Sequence, residues 1–146
     1  MKAVVQRVSE ASVKVEGKTK GRIARGLLIL LAVHRDDTED QLKWVADKCR
    51  RLRIFEDDEG KMNRSVEDVD GEVLLVSQFT LYGDVKKGTR PSFIASAGPD
   101  KAESIYEQMI TNMERSMPGK VKTGIFAAKM EVSLINDGPV TIIVER

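Results

Sequence analysis

The sequence has few of the residues on which many enzymes and secreted proteins depend. Its 146 residues include one cysteine, Cys49, and one histidine, His34. A single cysteine excludes an internal disulfide and suits a reducing, cytoplasmic setting. The two residues are too few for a zinc site of the usual Cys/His kind, so we expect no metal. There is no Gly-x-Ser-x-Gly motif, and a catalytic triad would have to use His34, whose position after an apolar run is typical of a loop residue.

Long hydrophobic runs and a large net charge are also absent. The longest apolar run, residues 27–33, is far too short to cross a bilayer, so we expect no membrane association. Residues 1–7 lack a small-residue cleavage site and carry a charge at the seventh residue, which is not the pattern of a signal peptide. The net charge of +1 opposes wide wrapping of duplex nucleic acid, but it is compatible with gripping a short single-stranded end.

The sequence does contain the pattern of one globular domain over residues 1–146. Apolar residues make up 41 % and charged residues 32 %, which is sufficient for a single core. Helical spacing predicts two long helices, one that starts with the capping pair Thr38 and Gln41 and one that starts at Pro99. Cys49 lies on the apolar stripe of the first helix, and we interpret it as a core thiol. The predicted strands are residues 2–8, 11–16, 27–33, 53–55, 72–79, 129–135 and 140–145.

These elements predict an α+β fold. We expect an all-β meander in the first quarter of the chain. We further expect two packed, mainly antiparallel β-sheets with the two main helices on one face.

Residues 135–141, Ile-Asn-Asp-Gly-Pro-Val-Thr, place a turn signal between two apolar strands. Asp137 and Gly138 favour a tight turn, but Pro139 has no N–H group to donate to a hairpin ladder. The turn is therefore either irregular or contains a cis peptide bond. An ordinary turn stiffened by proline is the alternative.

A second unusual stretch is Ser77-Gln78-Phe79-Thr80-Leu81, where polar residues follow an apolar strand. Such side chains must either be hydrogen-bonded or serve a function. Because no pair of carboxylates stands out for acid–base work, an enzyme would have to use hydroxyl, amide and backbone donors that stabilise an oxyanion. Thr80, with no base nearby, is a better donor than nucleophile. Residues 86–93 then form a basic loop that can contact phosphate.

Residues 77–81 together with residues 136–141 resemble the motif pair of the D-aminoacyl-tRNA deacylases. The similarity covers essentially the whole chain and includes residues 1–8, 53–57, 87–93 and 124–130. One departure is Ala127, where the family generally has glycine after the phenylalanine. The extra methyl group is expected to tighten the adenosine pocket.

The resemblance implies a fold in β/β/α layers, a homodimer and an activity without a cofactor. Members of the family hydrolyse the ester between a D-amino acid, or wrongly attached glycine, and the 3′-terminal adenosine of tRNA. The implied chiral filter is a cis Gly138–Pro139 peptide, which enters the partner subunit's pocket and excludes L side chains with its carbonyl groups. Arg7 is implied to brace this turn.

The resemblance also implies roles inside the pocket. Backbone donors near Phe79 and Thr80 would face the ester carbonyl, Gln78 would help to hold the terminal nucleotide, and Ser77 belongs to the same catalytic group. The substrate's own 2′-hydroxyl would take part in activating the attack, which agrees with the absence of a protein base. The residues implied on the adenine side are Phe126, Ala128 and Met130.

Two other functions remain open at the level of sequence. A non-catalytic module that binds RNA ends or a small ligand would use Lys86, Lys87 and Phe93. An amidase or esterase for small D-amino-acid derivatives would act without the tRNA body or the 2′-hydroxyl. The sequence also leaves open which aminoacyl-tRNAs are substrates and whether Thr80 is a nucleophile.

Overall fold

The computed structural model describes residues 1–146 and contains eight strands and two long helices. The helices are α1 (Glu39–Arg51) and α2 (Pro99–Ser116), and a short 3₁₀ turn spans Phe79–Tyr82. The strands are β1 (Lys2–Val15), β2 (Lys18–Ile23), β3 (Gly26–Ala32), β4 (Phe55–Glu56), β5 (Met62–Arg64), β6 (Glu72–Ser77), β7 (Val121–Thr123) and β8 (Glu131–Glu145).

Strand β1 is the centre of the molecule. Along one edge it pairs antiparallel with β3 over its first half and with β2 over its second half. Along the other edge it pairs antiparallel with β8 from Lys2 to Lys14. On the far side of β3, β6 and then β7 continue the sheet in parallel register. The first quarter is therefore not a meander, because β3 returns to β1 instead of pairing with β2.

The α+β prediction is confirmed, but the sheets differ from those expected. One six-stranded sheet of mixed direction replaces the two mainly antiparallel sheets, and the remaining pair, β4 and β5, forms a separate two-stranded sheet. Contacts of β2 with β6 and β7 show that the large sheet curls back on itself. The parallel pairs arise because α1 and α2 each lie in a crossover between neighbouring strands.

Two pairs of predicted strands are single strands in the structure. Residues 2–8 and 11–16 belong to β1, whose alternation of buried and exposed residues breaks at Arg7 and Val8, both buried, and at Ser9 and Glu10, both exposed. The buried face of the strand changes at this break, which is why the sequence pattern looks like two strands. The predicted strands 129–135 and 140–145 likewise merge into one strand, β8, which begins at Glu131, so residues 136–139 do not form a hairpin turn.

Buried side chains form two clusters on opposite faces of the sheet. Alternate residues of β3 and β6 divide between them: Leu27 and Val73 belong to the larger cluster, and Leu28 and Leu74 to the smaller one. The prediction that residues 27–33 are buried on both faces is thus confirmed. Both helices contribute buried residues only to the larger cluster.

The helix predictions also agree with the structure. Thr38 caps α1, and Gln41 completes the capping box through the Thr38 backbone N–H at 2.9 Å. Cys49 is fully buried, and burial raises the pKa of its thiol to about 12, so it is a core residue. Neither helix is long and apolar enough to cross a membrane.

Candidate active site

A cavity of about 690 Å³ lies where β3 and β6 end, beside the first turn of α2. Because these two strands are parallel and adjacent, their carboxyl ends meet at one edge of the sheet. The cavity brings together six residues that the sequence predicted for the site: Ser77, Gln78, Phe79, Phe126, Ala128 and Met130. Thr80 does not line the cavity but lies next to it in the 3₁₀ turn.

The segment after β6 is held by its backbone. The Gln78 N–H donates to the Leu31 carbonyl at 2.7 Å, and the Leu81 N–H donates to the Gln78 carbonyl at 3.2 Å. Leu81 is the first hydrogen-bonded donor of the turn, so the N–H groups of Phe79 and Thr80 have no partner within it. The Gln78 side-chain amide donates to the Thr80 hydroxyl, which leaves the hydroxyl proton available for another acceptor.

The opposite wall of the cavity is a tight segment between β7 and β8. The Gly124 N–H donates to the Leu75 carbonyl at 3.2 Å, and a Cβ atom at Gly124 would lie 2.5 Å from Met130 Sδ. Ala127 has a φ of +57°, in the left-handed region that favours glycine. This backbone conformation is the one in which glycine, the residue that the resemblance led us to expect here, has no steric cost.

The lining of the cavity offers apolar and aromatic surface with a few neutral polar groups. No carboxylate, imidazole or ammonium group belongs to it. Tyr106 lines it and donates its hydroxyl to the Leu75 carbonyl at 2.8 Å. Burial raises the pKa of Tyr106, so the phenol stays protonated at neutral pH. The cavity therefore contains no side chain that would act as a general base.

Among the lining residues outside the predicted site, three carry an aromatic ring or a hydroxyl group: Tyr106, Phe93 and Ser96. Tyr106 lies on the buried stripe of α2, where its spacing is that of a core residue, and its ring packs against Phe126 with centroids 6.0 Å apart. Phe93 packs edge-on against Phe79, with ring centroids 5.1 Å apart. The sequence pointed to it as part of the loop of residues 86–93 and as a contact in the binding-module alternative. Ser96 carries no signal, and its buried hydroxyl has no hydrogen-bond partner.

The Gly138–Pro139 segment is a bulge in strand β8. Gln6 of β1 pairs with Thr141, and Val8 pairs with Asn136. Four residues of β8, 137–140, therefore stand opposite the single residue Arg7, which confirms the prediction of an irregular turn. The Gly138–Pro139 peptide bond is cis.

Side chains of the same motif close the neck of this bulge. Asn136 accepts the Val140 N–H at 3.0 Å through Oδ1 and donates through Nδ2 to the Thr141 hydroxyl at 2.9 Å. The first of these bonds satisfies the Val140 N–H, one of the backbone groups that leave the β1–β8 ladder at the bulge. The spacing of asparagine and threonine in the motif thus has a structural purpose.

Arg7 fills the space beneath the bulge. Its side chain is 5 % exposed and donates from Nε to the Asp137 carbonyl at 3.0 Å and from Nη1 to the Ile54 carbonyl at 2.6 Å. Nε also lies 3.3 Å from the Asp137 carboxylate. Gly138 has a φ of +130°, and a Cβ atom there would lie 3.0 Å from Arg7 Nη2. Both the backbone conformation and the close approach of Arg7 therefore require glycine.

Within one chain, the bulge and the cavity are separate. Gly138, Pro139 and Arg7 do not line the cavity, so the structure does not bring all predicted site residues together. Gly138 and Pro139 are exposed, and the neighbouring apolar side chains Ile135 and Ile143 are 55 % and 67 % exposed.

Comparison with known proteins shows the family to which the chain belongs. The family model described as D-Tyr-tRNA(Tyr) deacylase matches residues 4–145. The chain belongs to the D-Tyr-tRNA(Tyr) deacylase family. Two similar members are the D-aminoacyl-tRNA deacylases of Thermotoga petrophila and Desulfitobacterium hafniense, which are 58 % and 56 % identical to this chain over 145 residues. Each alignment covers 99 % of this chain and 97 % of the relative.

Solved structures similar to this member of the D-Tyr-tRNA(Tyr) deacylase family have the same fold. One is described as a c-Myc DNA unwinding element binding protein, with a TM-score of 0.96, 42 % identity, and coverage of 100 % of this chain and 99 % of that chain. Another is described as a probable eukaryotic D-amino acid tRNA deacylase, with a TM-score of 0.81 and 19 % identity. It covers 98 % of this chain and 97 % of its own length, and at this identity it shows the fold alone.

Proposed function

We propose that this protein hydrolyses the ester bond of D-aminoacyl-tRNA and releases tRNA and the free D-amino acid. The observation that carries the proposal is the cavity in which Ser77, Gln78 and Phe79 face the segment with Phe126 and Met130. These two segments are far apart in the sequence, and both belong to the pattern that resembles the deacylases. Membership of the D-Tyr-tRNA(Tyr) deacylase family supports the same substrate class.

The chemistry we propose depends on donors instead of a protein base. In ester hydrolysis, negative charge develops on the carbonyl oxygen, and fixed donors lower the barrier by stabilising it. The N–H groups of Phe79 and Thr80 and the Thr80 hydroxyl are available for this purpose. Because the cavity has no general base, the 2′-hydroxyl of the substrate ribose is proposed to help activate the attacking water. Thr80 acts as a donor and not as a nucleophile in this scheme, since its hydroxyl accepts a hydrogen bond from Gln78 and faces no base.

The terminal adenosine is proposed to occupy the apolar part of the cavity. Phe126, Ala128 and Met130 would contact the adenine ring, and Gln78 would help to hold the nucleotide. Such a lining, largely apolar with a few polar groups that fix orientation, is typical of small-ligand sites. Ser77, at the end of β6, is proposed to belong to the catalytic group.

Chirality is proposed to be read by the bulge of a second copy of the chain. Gly138 and Pro139 are exposed and lie outside their own cavity, so a homodimer would allow them to enter the partner's cavity. Exposed Ile135 and Ile143 beside the bulge support a contact between copies. The backbone carbonyls would exclude an L side chain whatever its identity, whereas a D side chain or glycine would be accepted.

Single-turnover hydrolysis of D-tyrosyl-tRNA and L-tyrosyl-tRNA tests this proposal. We expect rapid release from the D ester only, and weaker release by Gly138→Ala, because the added methyl group clashes with Arg7 and with Val140. Gly60→Ala is a matched control, since Gly60 also has a positive φ of +76° but a Cβ atom there would have no neighbour within 4 Å. Cleavage of both esters at equal rates would contradict the chiral filter, and cleavage of neither would contradict the deacylase.

A nucleic-acid-binding module without turnover is the second candidate. It is favoured by the similar structure described as a DNA unwinding element binding protein, which is 42 % identical to this chain. This candidate predicts binding of tRNA or single-stranded DNA with no ester cleavage above the rate in buffer. A small-molecule D-amino-acid esterase would instead cleave an ester with a 2′-deoxy terminal adenosine as fast as the ribose form.

A further inference from the structure

The loop between Asp84 and Ser92 carries three cations that no carboxylate neutralises. Lys86, Lys87 and Arg90 are exposed, and none of them takes part in an ion pair of the chain. The only carboxylate in the loop, Asp84, accepts the backbone N–H of Lys86 at 2.8 Å. In a chain with 24 basic and 23 acidic residues, this basic loop (residues 84–92) is a local excess of positive charge.

The basic loop is anchored at the rim of the cavity. Two backbone hydrogen bonds between Asp84 and Ser92, of 2.8 and 2.9 Å, close its base. The next residue, Phe93, lines the cavity and packs against Phe79. These two rings are 37 % and 55 % exposed, so they present aromatic surface at the mouth. A chain that leaves the cavity at this point passes the two rings and the basic loop.

Cations beside exposed aromatic rings are the chemistry that binds single-stranded nucleic acid, in which phosphates and unstacked bases alternate. We propose that the basic loop binds the phosphates of the tRNA nucleotides immediately upstream of the terminal adenosine, and that Phe93 contacts a neighbouring base. This inference rests on the proposed function, because it assumes that the terminal adenosine occupies the cavity. The net charge of +1 and the short loop suit a few nucleotides and not a duplex.

A charge-matched pair of variants tests the proposal. The loop variant is Lys86→Gln, Lys87→Gln, Arg90→Gln. The control, Lys43→Gln, Arg51→Gln, Arg115→Gln, removes the same three charges from exposed helix positions that do not line the cavity. The value of kcat/KM is measured for D-tyrosyl-tRNA and for D-tyrosyl-adenosine, which lacks the upstream phosphates, at salt concentrations from low to moderate.

We expect the loop variant to lose about tenfold in kcat/KM on the tRNA ester at low salt. The slope of log kcat/KM against log salt should become shallower by about 2, since each phosphate contact to a single strand contributes ~0.7. On D-tyrosyl-adenosine the loop variant should match the wild type, and the control should match it on both substrates.

Three results would overturn the inference. Equal loss on both substrates would mean that the loop shapes the cavity, and equal loss in both variants would mean that only total charge matters.

Binding of a short single-stranded RNA with a 3′-terminal adenosine, measured by fluorescence anisotropy, tests the loop without turnover. If the loop variant binds this RNA as tightly as the wild type, the inference about the loop is wrong. If the wild type binds the RNA through the loop but cleaves no ester, only the proposed function is wrong.

Discussion

The segment after β6 and the bulge of β8 are built in opposite ways. Gln78 and Phe79 follow a strand buried on both faces, and the cavity around them is completed by the same chain. The bulge at Gly138 lies on an exposed strand and contacts its own chain mainly through Arg7 beneath it. One region is positioned by the core, and the other by a single buried cation.

This difference separates the two tasks we propose, binding of the nucleotide by the cavity and discrimination between D and L esters by the bulge. The cavity is closed by packing that a change in the core would disturb, so the proposed binding of the nucleotide is tied to folding. The bulge depends on a few hydrogen bonds, so its position can be changed while the core stays intact. Variants that affect one region and spare the other should therefore divide substrate affinity from selectivity between D and L esters.

Replacing Arg7 with methionine should have the largest effect. Methionine fills similar volume but leaves the Ile54 carbonyl, and the Asp137 carbonyl above it, without a donor. We expect the free energy of unfolding to fall by about 3 kcal/mol and the D/L rate ratio to collapse, whereas affinity for adenosine should be kept. Urea denaturation and single-turnover rates measure these quantities. Full selectivity in Arg7→Met would show that the bulge does not need the cation.

The reactivity of Cys49 provides an independent measure of the free energy of unfolding that Arg7→Met is expected to lose. Its thiol is fully buried and its pKa is raised to about 12, so the reactive thiolate forms only when the chain opens. Because burial raises the pKa of the thiol, the free energy of unfolding falls as pH rises from the ordinary thiol pKa towards about 12. We expect alkylation at pH 8 to be roughly a hundredfold faster in Arg7→Met, which corresponds to the predicted loss of stability at 1.36 kcal/mol per tenfold. An unchanged alkylation rate would contradict a stabilising role of Arg7.

A change at Gly124 should affect the cavity alone. The added methyl group of Gly124→Ala would push the Met130 thioether, which lies 2.5 Å away, into the space for the nucleotide. We expect KM to rise about tenfold with the D/L ratio unchanged. Stability should change little, because Met130 is flexible. The double variant Gly124→Ala, Met130→Ala should recover part of the affinity; if it does not, the clash with Met130 is not the cause.

Loss of the Asn136 side chain should loosen only the neck of the bulge. Asn136→Ala removes the bonds to Val140 and to Thr141, which together contribute about 1 kcal/mol. The β1–β8 ladder on either side remains, so the free energy of unfolding should change little. The D/L rate ratio should fall clearly, because the bulge is held less firmly. Asn136→Asp, which keeps the acceptor for the Val140 N–H, should lie between this variant and the wild type. A large fall in the free energy of unfolding with an unchanged D/L rate ratio would show that Asn136 supports the fold and not the position of the bulge.

The smallest effect is expected at Ala127. Glycine relieves the left-handed φ of +57°, so Ala127→Gly should raise the free energy of unfolding by about 0.5 kcal/mol, after the entropy cost of glycine. Ala128→Gly, at a neighbouring position without a positive φ, should lower it. Thermal denaturation of the two variants measures the difference in sign. A loss in both would show that the Ala127 methyl group makes packing contacts worth more than the backbone cost.

Sequence patterns predicted the features that depend on local chemistry. The cap of α1 at Thr38, the buried thiol of Cys49 and the apolar stripe of α2 follow from spacing of a few residues, and all are found. Strand order was not accessible, because pairing of β1 with both β3 and β8 joins residues far apart in the sequence. The two apparent breaks in β1 and β8 lie at the same place in the β1–β8 ladder. Arg7 faces the bulge of β8, and the register shifts again between Val8 and Glu10, where β1 has one extra residue.

The candidate site was predicted only in part, because local sequence chemistry shows some of its residues and long-range packing places the others. Ser77 and Gln78 were visible as polar residues at a strand end, and the family resemblance added Phe126, Ala128 and Met130. Tyr106 was missed because one residue serves both the core stripe of α2 and the cavity wall. A stripe pattern reports burial and does not show that the buried face borders an empty space.

The pairing of β1 with β8 has a consequence for synthesis on the ribosome. β1 is made before the helices, yet the strand that covers its other edge, β8, is made after both helices and the rest of the sheet. Until then the nascent chain carries an open strand edge, the feature that promotes association between chains. Val132 of the same strand, with Met130 just before it, closes one side of the cavity. The protected edge and the complete cavity therefore both depend on β8.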